Sequence, residues 1–271
     1  MIFPPEQQVE LRDTLRQGPL QFGLEQSRWT LKAIGLVVTW LGRYSLSGIC
    51  RILKALQISY KRGRHHVHSP DPHYNVKKQW AEQCEAEAKA NPGKIVTVYM
   101  DEVSFYRQPT LASDWCPTGS DYQPLAERAV HKTNTRSRVV GALDVVTGQV
   151  TYRQRSKIGV DQLCAFYRQL RDTYPEAERI YVIQDNWYNV HFHPEVIDAA
   201  LDLGIIPVPL PTYAPWLNPT EKLWRKLYQE IIHLHRLSNQ WEELKACVNR
   251  FLDQFAPGSP ELLHYVGLLP N

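Results

Sequence analysis

Apolar residues near the start of the chain recur with a helical period. Four of them follow i, i+3, i+7, i+10 spacing, which places side chains on one face of an α-helix: Leu31, Ile34, Val38 and Leu41. After a break at residues 42–44, Ser45 is suited to cap a second helix with its own apolar face: Ile49, Ile52, Leu53 and Leu56. Two short helices joined by a tight turn predict a small helix-turn-helix domain.

A longer helix is predicted over residues 74–90, where a narrow apolar stripe ends at Asn91-Pro92-Gly93: Val76, Trp80, Cys84 and Ala88. We place a domain boundary between about residues 73 and 94. The predicted organisation is therefore a helix-turn-helix region with a basic linker over residues 1–73, a linker helix over 74–93, a larger domain over 94–256 and a C-terminal tail over 257–271.

Beyond residue 94 the apolar pattern changes from a helical to a strand period. Short buried strands are predicted at 95–100, 179–183 and 205–210, and residues 137–145 and 149–155 flank Thr147-Gly148 as a hairpin. Helical periods lie between and after them, around residues 163–174, 194–203, 224–231 and 241–255. Strands that first pair as a hairpin and then alternate with helices predict a mixed α/β sheet flanked by helices.

Charge is unevenly distributed along the chain. The net charge is only +3, yet residues 43–78 contain eight Lys or Arg against the single acid Asp71, which is +7 locally and −4 elsewhere. A basic block of this kind is typical of a polyanion-binding module, although a solvated charged face is the open alternative. The residues expected to meet DNA lie in the second short helix and the basic segment after it: Ser47, Arg51, Lys54, Lys61, Arg62 and Arg64.

The composition narrows the class of protein. Hydrophobic residues make up 43% of the chain and charged residues 22%, which is ordinary for a globular protein. No apolar run of about 18 residues and no secretory leader is evident, so we expect a cytoplasmic protein without a membrane partner. The five cysteines lie far apart and form no CxxC pair, which argues against a disulfide framework and a zinc knuckle.

Three acidic residues stand where strands or loops end. Asp101 and Asp185 each follow an apolar strand, and Glu221 opens a helix after a loop stiffened by four prolines, residues 209–220. Each has a structural alternative: Asp101 can terminate a strand, Asp185 can form an Asx turn, and Glu221 can complete a capping box with Asn218. Asp144 is expected to begin a turn, and Glu102, one residue beyond Asp101, is expected to point to the other side of its strand.

Three converging carboxylates without a His or Cys cluster suit hard, oxygen-preferring cations such as Mg²⁺ or Mn²⁺. Two such ions about 3.5–4 Å apart can support in-line attack on a phosphodiester. The residues therefore favour metal-dependent attack on a phosphodiester, with Asp101, Asp185 and Glu221 as metal ligands.

Four segments resemble the DDE transposases of the mariner superfamily, most closely the bacterial insertion-sequence 630 branch: Asp101-Glu102, Trp115-Cys116-Pro117-Thr118-Gly119, Gln184-Asp185-Asn186 followed by His191, and residues 213–224, YAPWLNPTEKLW. The separation of 36 residues between Asp185 and Glu221 is close to the spacing typical of that group. The resemblance covers residues 27–255.

The resemblance implies an RNase H-like catalytic domain preceded by the helix-turn-helix. It implies two Mg²⁺ ions, hydrolysis at transposon ends, transfer of the freed 3′-hydroxyl to target DNA, commonly at TA, and a homo-oligomer on double-stranded DNA near the nucleoid. It also places Asn186 and His191 beside the second aspartate, where they would position DNA or order the metal-binding carboxylate. A helix-start or core role is the alternative for His191. Trp115 and Trp216 can stack on bases or be buried.

The chain departs from the family pattern in one respect. Family members usually carry a further helix-turn-helix ahead of the one predicted here, and too few residues precede Trp29 to form it. Either an N-terminal part was lost or a separate reading frame supplies it. A nuclease of the same fold that does not join strands, and a catalytically silent DNA-binding regulator, remain alternatives to a transposase.

Overall fold

A computed structural model describes residues 3–61, 68–119, 123–128 and 134–269. The chain divides into two compact units, Met1–His66 and Val67–Asn271. Within the described residues, no helix is long and apolar enough to cross a membrane.

The first unit is helical. It contains α1 (Pro5–Arg16), α2 (Leu31–Val37) and α3 (Leu46–Ala55), with short 3-10 turns at Pro19–Phe22 and Thr39–Leu41. Ser45 caps α3 as predicted, since its Oγ accepts from the Gly48 N–H at 3.2 Å. The predicted apolar faces of α2 and α3 form one core, which Phe3 and Leu11 complete. Helix α1 was not predicted, because only Leu11 and Thr14 of that helix are buried.

The residues that were predicted to face outward from the helix-turn-helix are exposed wherever the structure describes them. Ser47, Arg51 and Lys54 on α3, and Lys61 after it, are all exposed. Arg62 and Arg64, the other two residues assigned to DNA contact, lie outside the described residues.

A five-stranded mixed sheet in the order β3-β2-β1-β4-β5 organises the second unit. Its strands are β1 (Ile95–Tyr106), β2 (Arg136–Asp144), β3 (Val150–Arg155), β4 (Arg179–Gln184) and β5 (Ile205–Pro209). Strands β1, β2 and β3 pair antiparallel, whereas β4 lies parallel to both β1 and β5. The predicted hairpin is confirmed, and Asp144 begins its turn by accepting the Val146 and Thr147 N–H groups at 2.7 and 2.8 Å.

Helices cover both faces of this sheet. The remaining helices are α4 (Tyr74–Ala90), α5 (Val160–Thr173), α6 (Tyr188–His191), α7 (Pro194–Asp202), α8 (Thr220–Leu227), α9 (Trp241–Asp253) and α10 (Pro260–Val266), with a π-helical turn at Tyr228–Ile232. Helices α5 and α7 share one core with the central strands. Helix α4 packs on the β4–β5 side of the other face, and α8, α9 and α10 pack towards β2 and β3. The mixed α/β sheet flanked by helices is thus as predicted.

Three expectations need correction. Helix α4 packs on the sheet through Ala81, Cys84 and Ala88 as part of the second unit rather than standing apart as a linker, and Val76 and Trp80 of its predicted stripe are exposed. The expected C-terminal tail forms helix α10, which buries Leu262, Leu263 and Val266. Strand β1 does not end at Asp101 but continues to Tyr106, because pairing with β2 supports it beyond the point where its pairing with β4 stops.

Candidate active site

The register between β1 and β4 brings the two aspartates to one rim of the sheet. The last parallel pair is Tyr99 with Ile183, so Asp101 and Asp185 each lie two residues beyond it on adjacent strands. Because the strands are parallel, both residues emerge at the same edge, where ligand sites form in open α/β sheets. The two aspartates meet at this edge because β1 and β4 are neighbours in the sheet.

Asp101 is held in a partly buried position. Its Oδ2 accepts from Trp224 Nε1 at 3.1 Å, and its Oδ1 accepts from the Glu102 N–H at 2.8 Å. Burial raises the pKa of Asp101 to about 8, and the charges of Glu102, Glu221 and Asp185 contribute to the rise. Negative charge is therefore concentrated around Asp101, as is common where a cation is to be bound.

A glycine makes room for the indole that holds Asp101. Gly141 on β2 pairs directly with Asp101, and a Cβ built on Gly141 would lie 2.6 Å from Cη2 of Trp224. Trp224 is buried, so its ring cannot swing into solvent to relieve that contact. Neither the glycine nor the tryptophan was singled out from the sequence, since only the pairing of β1 with β2 brings them together.

We expect Gly141→Ala to lower the free energy of unfolding by about 1–3 kcal/mol, the usual cost of overpacking a core. It should also weaken the hydrogen bond from Trp224 to Asp101, and hence reduce activity more than the loss of stability explains. Denaturant unfolding and indole fluorescence measure the two effects. The control is Gly18→Ala, because a Cβ added at Gly18 has no atom within 4 Å. Gly93 is unsuitable because its φ of +80° would strain an alanine there. An unchanged unfolding midpoint for Gly141→Ala would contradict the steric account.

Glu221 lies in the first turn of α8 and shares a cavity with Asp101. The cavity has a volume of about 370 Å³ and is lined by these residues: Asp101, Glu102, Val103, Ser104, Glu221, Trp224, Arg225 and Tyr228. The Asn218 N–H donates to Pro215 O at 3.0 Å, so Glu221 does not complete a capping box. Partial burial raises the pKa of Glu221, Arg225 lowers it and Asp185 raises it, with a net rise.

Asp185 lies on the exposed side of the same rim. Its Oδ1 accepts from the Trp187 N–H at 3.2 Å, so the Asx turn considered from the sequence does form. The same oxygen is 2.9 Å from Nδ1 of His191. Burial raises the pKa of Asp185, but the hydrogen bond and charge of His191 and the hydrogen bond from the Trp187 N–H together lower it by more, so the net shift is downward.

Glu102 is a site residue that sequence reasoning left out. Its Oε1 lies 3.0 Å from Nε2 of His191, whose side chain is completely buried. Burial lowers the pKa of His191, but the hydrogen bonds to Asp185 and Glu102, together with the charge of Glu102, outweigh it and raise the pKa to about 10. Glu102 does point away from Asp101, as strand alternation requires, yet the ring from α6 reaches it on that side. The only signal in the sequence was its position next to Asp101.

Asn186 ties the turn after β4 to the loop that leads to Glu221. Its Nδ2 donates to Leu210 O at 2.8 Å and to Thr212 Oγ1 at 3.1 Å. Asp71, in the segment before α4, accepts the Thr212 N–H at 2.9 Å and the Lys77 ammonium at 2.7 Å. Hydrogen bonds from Lys77 and Thr212 hold the pKa of Asp71 well below its ordinary value. Asn186 therefore holds the turn after β4 against the loop that precedes Glu221.

The two tryptophans assigned to DNA lie on the surface, so the buried alternative is wrong for both. Trp115 is fully exposed within residues 111–119, all of which are exposed. Trp216 is half exposed, donates from Nε1 to Tyr74 Oη at 3.1 Å, and lines a cavity of about 790 Å³ that Glu221 also borders. In the described part of the chain, no group of three or more His, Cys, Asp or Glu side chains is gathered closely enough to hold a metal ion.

Comparison with known proteins gives a consistent result. The sequence model of the DDE superfamily endonucleases matches residues 96–245, which include Asp101, Asp185 and Glu221. A curated relative, the "Insertion element IS630 uncharacterized 39 kDa protein" of Shigella sonnei, is 26% identical over 254 residues, covering 91% of this chain and 70% of the relative.

Two solved structures share the fold. One is the Mos1 transposase paired-end complex with left transposon end, with a TM-score of 0.66, and the other is the Mos1 mariner paired end complex with Mn, with a TM-score of 0.67. Each is 18% identical and covers 100% of this chain and 78% of the solved chain. The expected RNase H-like fold is confirmed. Because the family model spans more than half of the sequence, this chain belongs to the DDE superfamily endonucleases.

Proposed function

We propose that this chain is a transposase of the mariner and IS630 type, which binds the ends of its element, hydrolyses phosphodiester bonds there and joins the freed 3′-hydroxyl to target DNA. Hydrolysis breaks a P–O bond with water and leaves a 3′-hydroxyl on the element. In the joining step that hydroxyl oxygen forms a new P–O bond to a target phosphate, while the target strand's own 3′ oxygen leaves. Two observations support this most directly: Asp101 and Asp185 follow adjacent parallel strands at one rim of the sheet, and Asp101 and Glu221 line one cavity.

The chemistry of the three carboxylates suits divalent cations, although the side chains of the described residues are not gathered into a group that holds a metal ion in this structure. All the donor atoms are oxygens, which suit Mg²⁺ or Mn²⁺, and cations would neutralise the neighbouring charges that add to burial in raising the pKa of Asp101. We assign Asp101, Asp185 and Glu221 as the residues that hold these ions. When bound, such ions activate the attacking oxygen and stabilise the leaving one.

The surrounding residues of this chain orient the carboxylates. Trp224 holds Asp101 through Oδ2, and His191 holds Asp185 through Oδ1. Asn186 holds the loop before Glu221 at Leu210 and Thr212. Trp216, exposed on a cavity that Glu221 borders, is placed to stack on an unpaired base near a cut, and the fully exposed Trp115 can do the same.

We further propose that α3 and the basic segment after it contact duplex DNA. Ser47, Arg51 and Lys54 are exposed on α3, the second helix of the helix-turn-helix and the position of a major-groove reader. Lys61, Arg62 and Arg64 would contact phosphates, which give affinity without sequence information. A homo-oligomer would bring two element ends together, and both of the similar Mos1 structures are paired-end complexes.

Replacing Lys61, Arg62 and Arg64 by Gln is expected to weaken binding to every duplex sequence alike. The slope of log K against log salt should become shallower by about 0.9 for each phosphate that the variant no longer neutralises. Fluorescence anisotropy at several salt concentrations measures both quantities. Arg16→Gln, which removes a cation paired with Asp13 on α1, is the matched control. If the triple variant keeps the slope of the unmodified protein, the basic run does not contact phosphates.

The test of the proposed function is incubation of the protein with end-bearing DNA and Mg²⁺, followed by mapping of nicks to single nucleotides. We expect cuts at the ends and, with a precut end and a target plasmid, joined products. Cuts without joining would show a nuclease of the same fold. DNA binding without cuts in either Mg²⁺ or Mn²⁺ would show a regulator, and either result would overturn the proposal.

A further inference from the structure

A chain of contacts connects the first catalytic strand to the second aspartate. Glu102 on β1 accepts at Oε1 from Nε2 of His191 at 3.0 Å, and Nδ1 of the same ring lies 2.9 Å from Asp185 Oδ1 and 3.1 Å from the Asp185 carbonyl. Carboxylates and carbonyls only accept hydrogen bonds, so both ring nitrogens donate. Glu102 and Asp185 are thus joined through one imidazole.

The imidazole in this chain has little freedom. Its side chain is 0% exposed, and the Trp187 ring packs edge-on against it at 5.6 Å between centroids. The His191 N–H also donates to Trp187 O at 2.8 Å, which closes the short helix α6. The Glu102 side chain is only 12% exposed and stands on the central strand, paired with Val140. The ring is therefore held by hydrogen bonds on both sides, to Glu102 on β1 and to Asp185 in the turn after β4.

Asp185 itself needs such a restraint. Its side chain is 59% exposed, and it lies beyond the last residue of β4, so neither packing nor the sheet holds its χ angles. The Trp187 N–H and the His191 ring both contact Oδ1, which leaves Oδ2 directed elsewhere. A carboxylate that must present one oxygen to a cation loses affinity when its orientation is not set by surrounding hydrogen bonds.

We propose that Glu102 is a positioning residue for Asp185, acting through His191: it orients the buried ring, and the ring sets the carboxylate that binds the divalent cation. This rests on the proposed function, in which Asp185 is a metal ligand. Glu102 also borders the cavity shared by Asp101 and Glu221, so the competing explanation is that it is a fourth metal ligand. The two explanations predict different results for two measurements. A positioning role is retained by Glu102→Gln, whose Oε1 still accepts from His191, and it makes the effects of Glu102 and His191 substitutions non-additive.

The experiment is a double-mutant cycle read by the binding of Mn²⁺ alone, measured as the decrease of the free-ion EPR signal on titrating the full chain. Glu102→Ala should weaken Mn²⁺ binding by about 10–100-fold, the usual effect of removing a partner of a metal-binding group. Glu102→Gln should retain most of the affinity, because its Oε1 still accepts from Nε2 of His191. His191→Ala should weaken binding as much as Glu102→Ala, and the double variant should be no weaker than either single one.

A surface variant and a second histidine variant complete the design. Glu178→Gln removes an exposed carboxylate paired with Lys94 at 3.5 Å and should leave Mn²⁺ binding unchanged. If His191→Ala does not fold, as judged by circular dichroism, His191→Gln replaces it in the cycle. Cleavage of end DNA against Mn²⁺ concentration is followed in parallel, and excess Mn²⁺ should partly restore the rate of Glu102→Ala.

The possible outcomes separate the inference from the function on which it rests. Additive effects in the cycle, or a Glu102→Gln variant as weak as Glu102→Ala, would overturn the positioning role and favour direct ligation. A non-additive cycle in a protein that binds Mn²⁺ but never cuts DNA would support the positioning role and overturn the proposed function alone. No binding of Mn²⁺ by the unmodified protein at millimolar concentration would overturn both.

Discussion

Asp185→Asn is expected to reduce DNA cleavage by about a thousandfold or more while leaving DNA affinity nearly unchanged. Metal ions contribute several kcal/mol to stabilising the charge of a transition state, and a loss of about 4 kcal/mol corresponds to about a thousandfold in rate. The amide keeps the size of the side chain, and its Oδ1 can still accept from Trp187 and His191, so the turn should persist.

Single-turnover cleavage of end DNA and a gel-shift titration measure the two quantities for Asp185→Asn. The matched control is Asp172→Asn, an exposed aspartate on α5 outside the site. The same pattern is expected for Asp101→Asn and Glu221→Gln. An Asp185→Asn protein that cuts at the rate of the unmodified protein in Mg²⁺ would show that this residue is not one of the metal-binding carboxylates.

Removal of divalent cations should stop cleavage completely and reversibly. Burial raises the pKa values of Asp101 and Glu221, and the charge of Asp185 adds to both shifts, so without cations the acids of the site oppose one another and the incoming phosphate. We expect Mg²⁺ or Mn²⁺ to restore cutting after treatment with EDTA. Ca²⁺ should support DNA binding but not cutting, because its looser and more variable coordination misaligns the reacting groups.

The measurement is a cleavage time course in each metal, with DNA affinity recorded in parallel so that weaker binding is not mistaken for slower chemistry. Zn²⁺ is omitted because the five free cysteines can take it up elsewhere. Cutting that continues in EDTA would contradict a metal-dependent mechanism, whichever residues are assigned to it.

The C-terminal helix and strand β1 show why boundaries were harder to predict than elements. Ser259 caps α10 and Pro260 opens it, and both are local signals for a helix start. The segment was nevertheless expected to be a tail, because two of its three buried residues, Leu262 and Val266, have a core partner only when α8 and α9 are in place. Strand β1 was expected to stop at Asp101, but its continuation to Tyr106 depends on hydrogen bonds to β2, whose paired residues lie 30 or more positions later in the chain.

The sequence alone located most of the elements and indicated the chemical type that we propose for the site. Helical and strand periods are set by which side chains must be buried, so they located α2, α3, α4 and the starts of the five strands within a few residues, and the acids after two buried strands indicated a shared rim. Only the tertiary structure decided which groups orient those acids. The contacts of Glu102 with His191 and of Gly141 with Trp224 join residues 89 and 83 positions apart. No local period encodes such contacts, because they arise from strand register and helix packing rather than from the burial of one face.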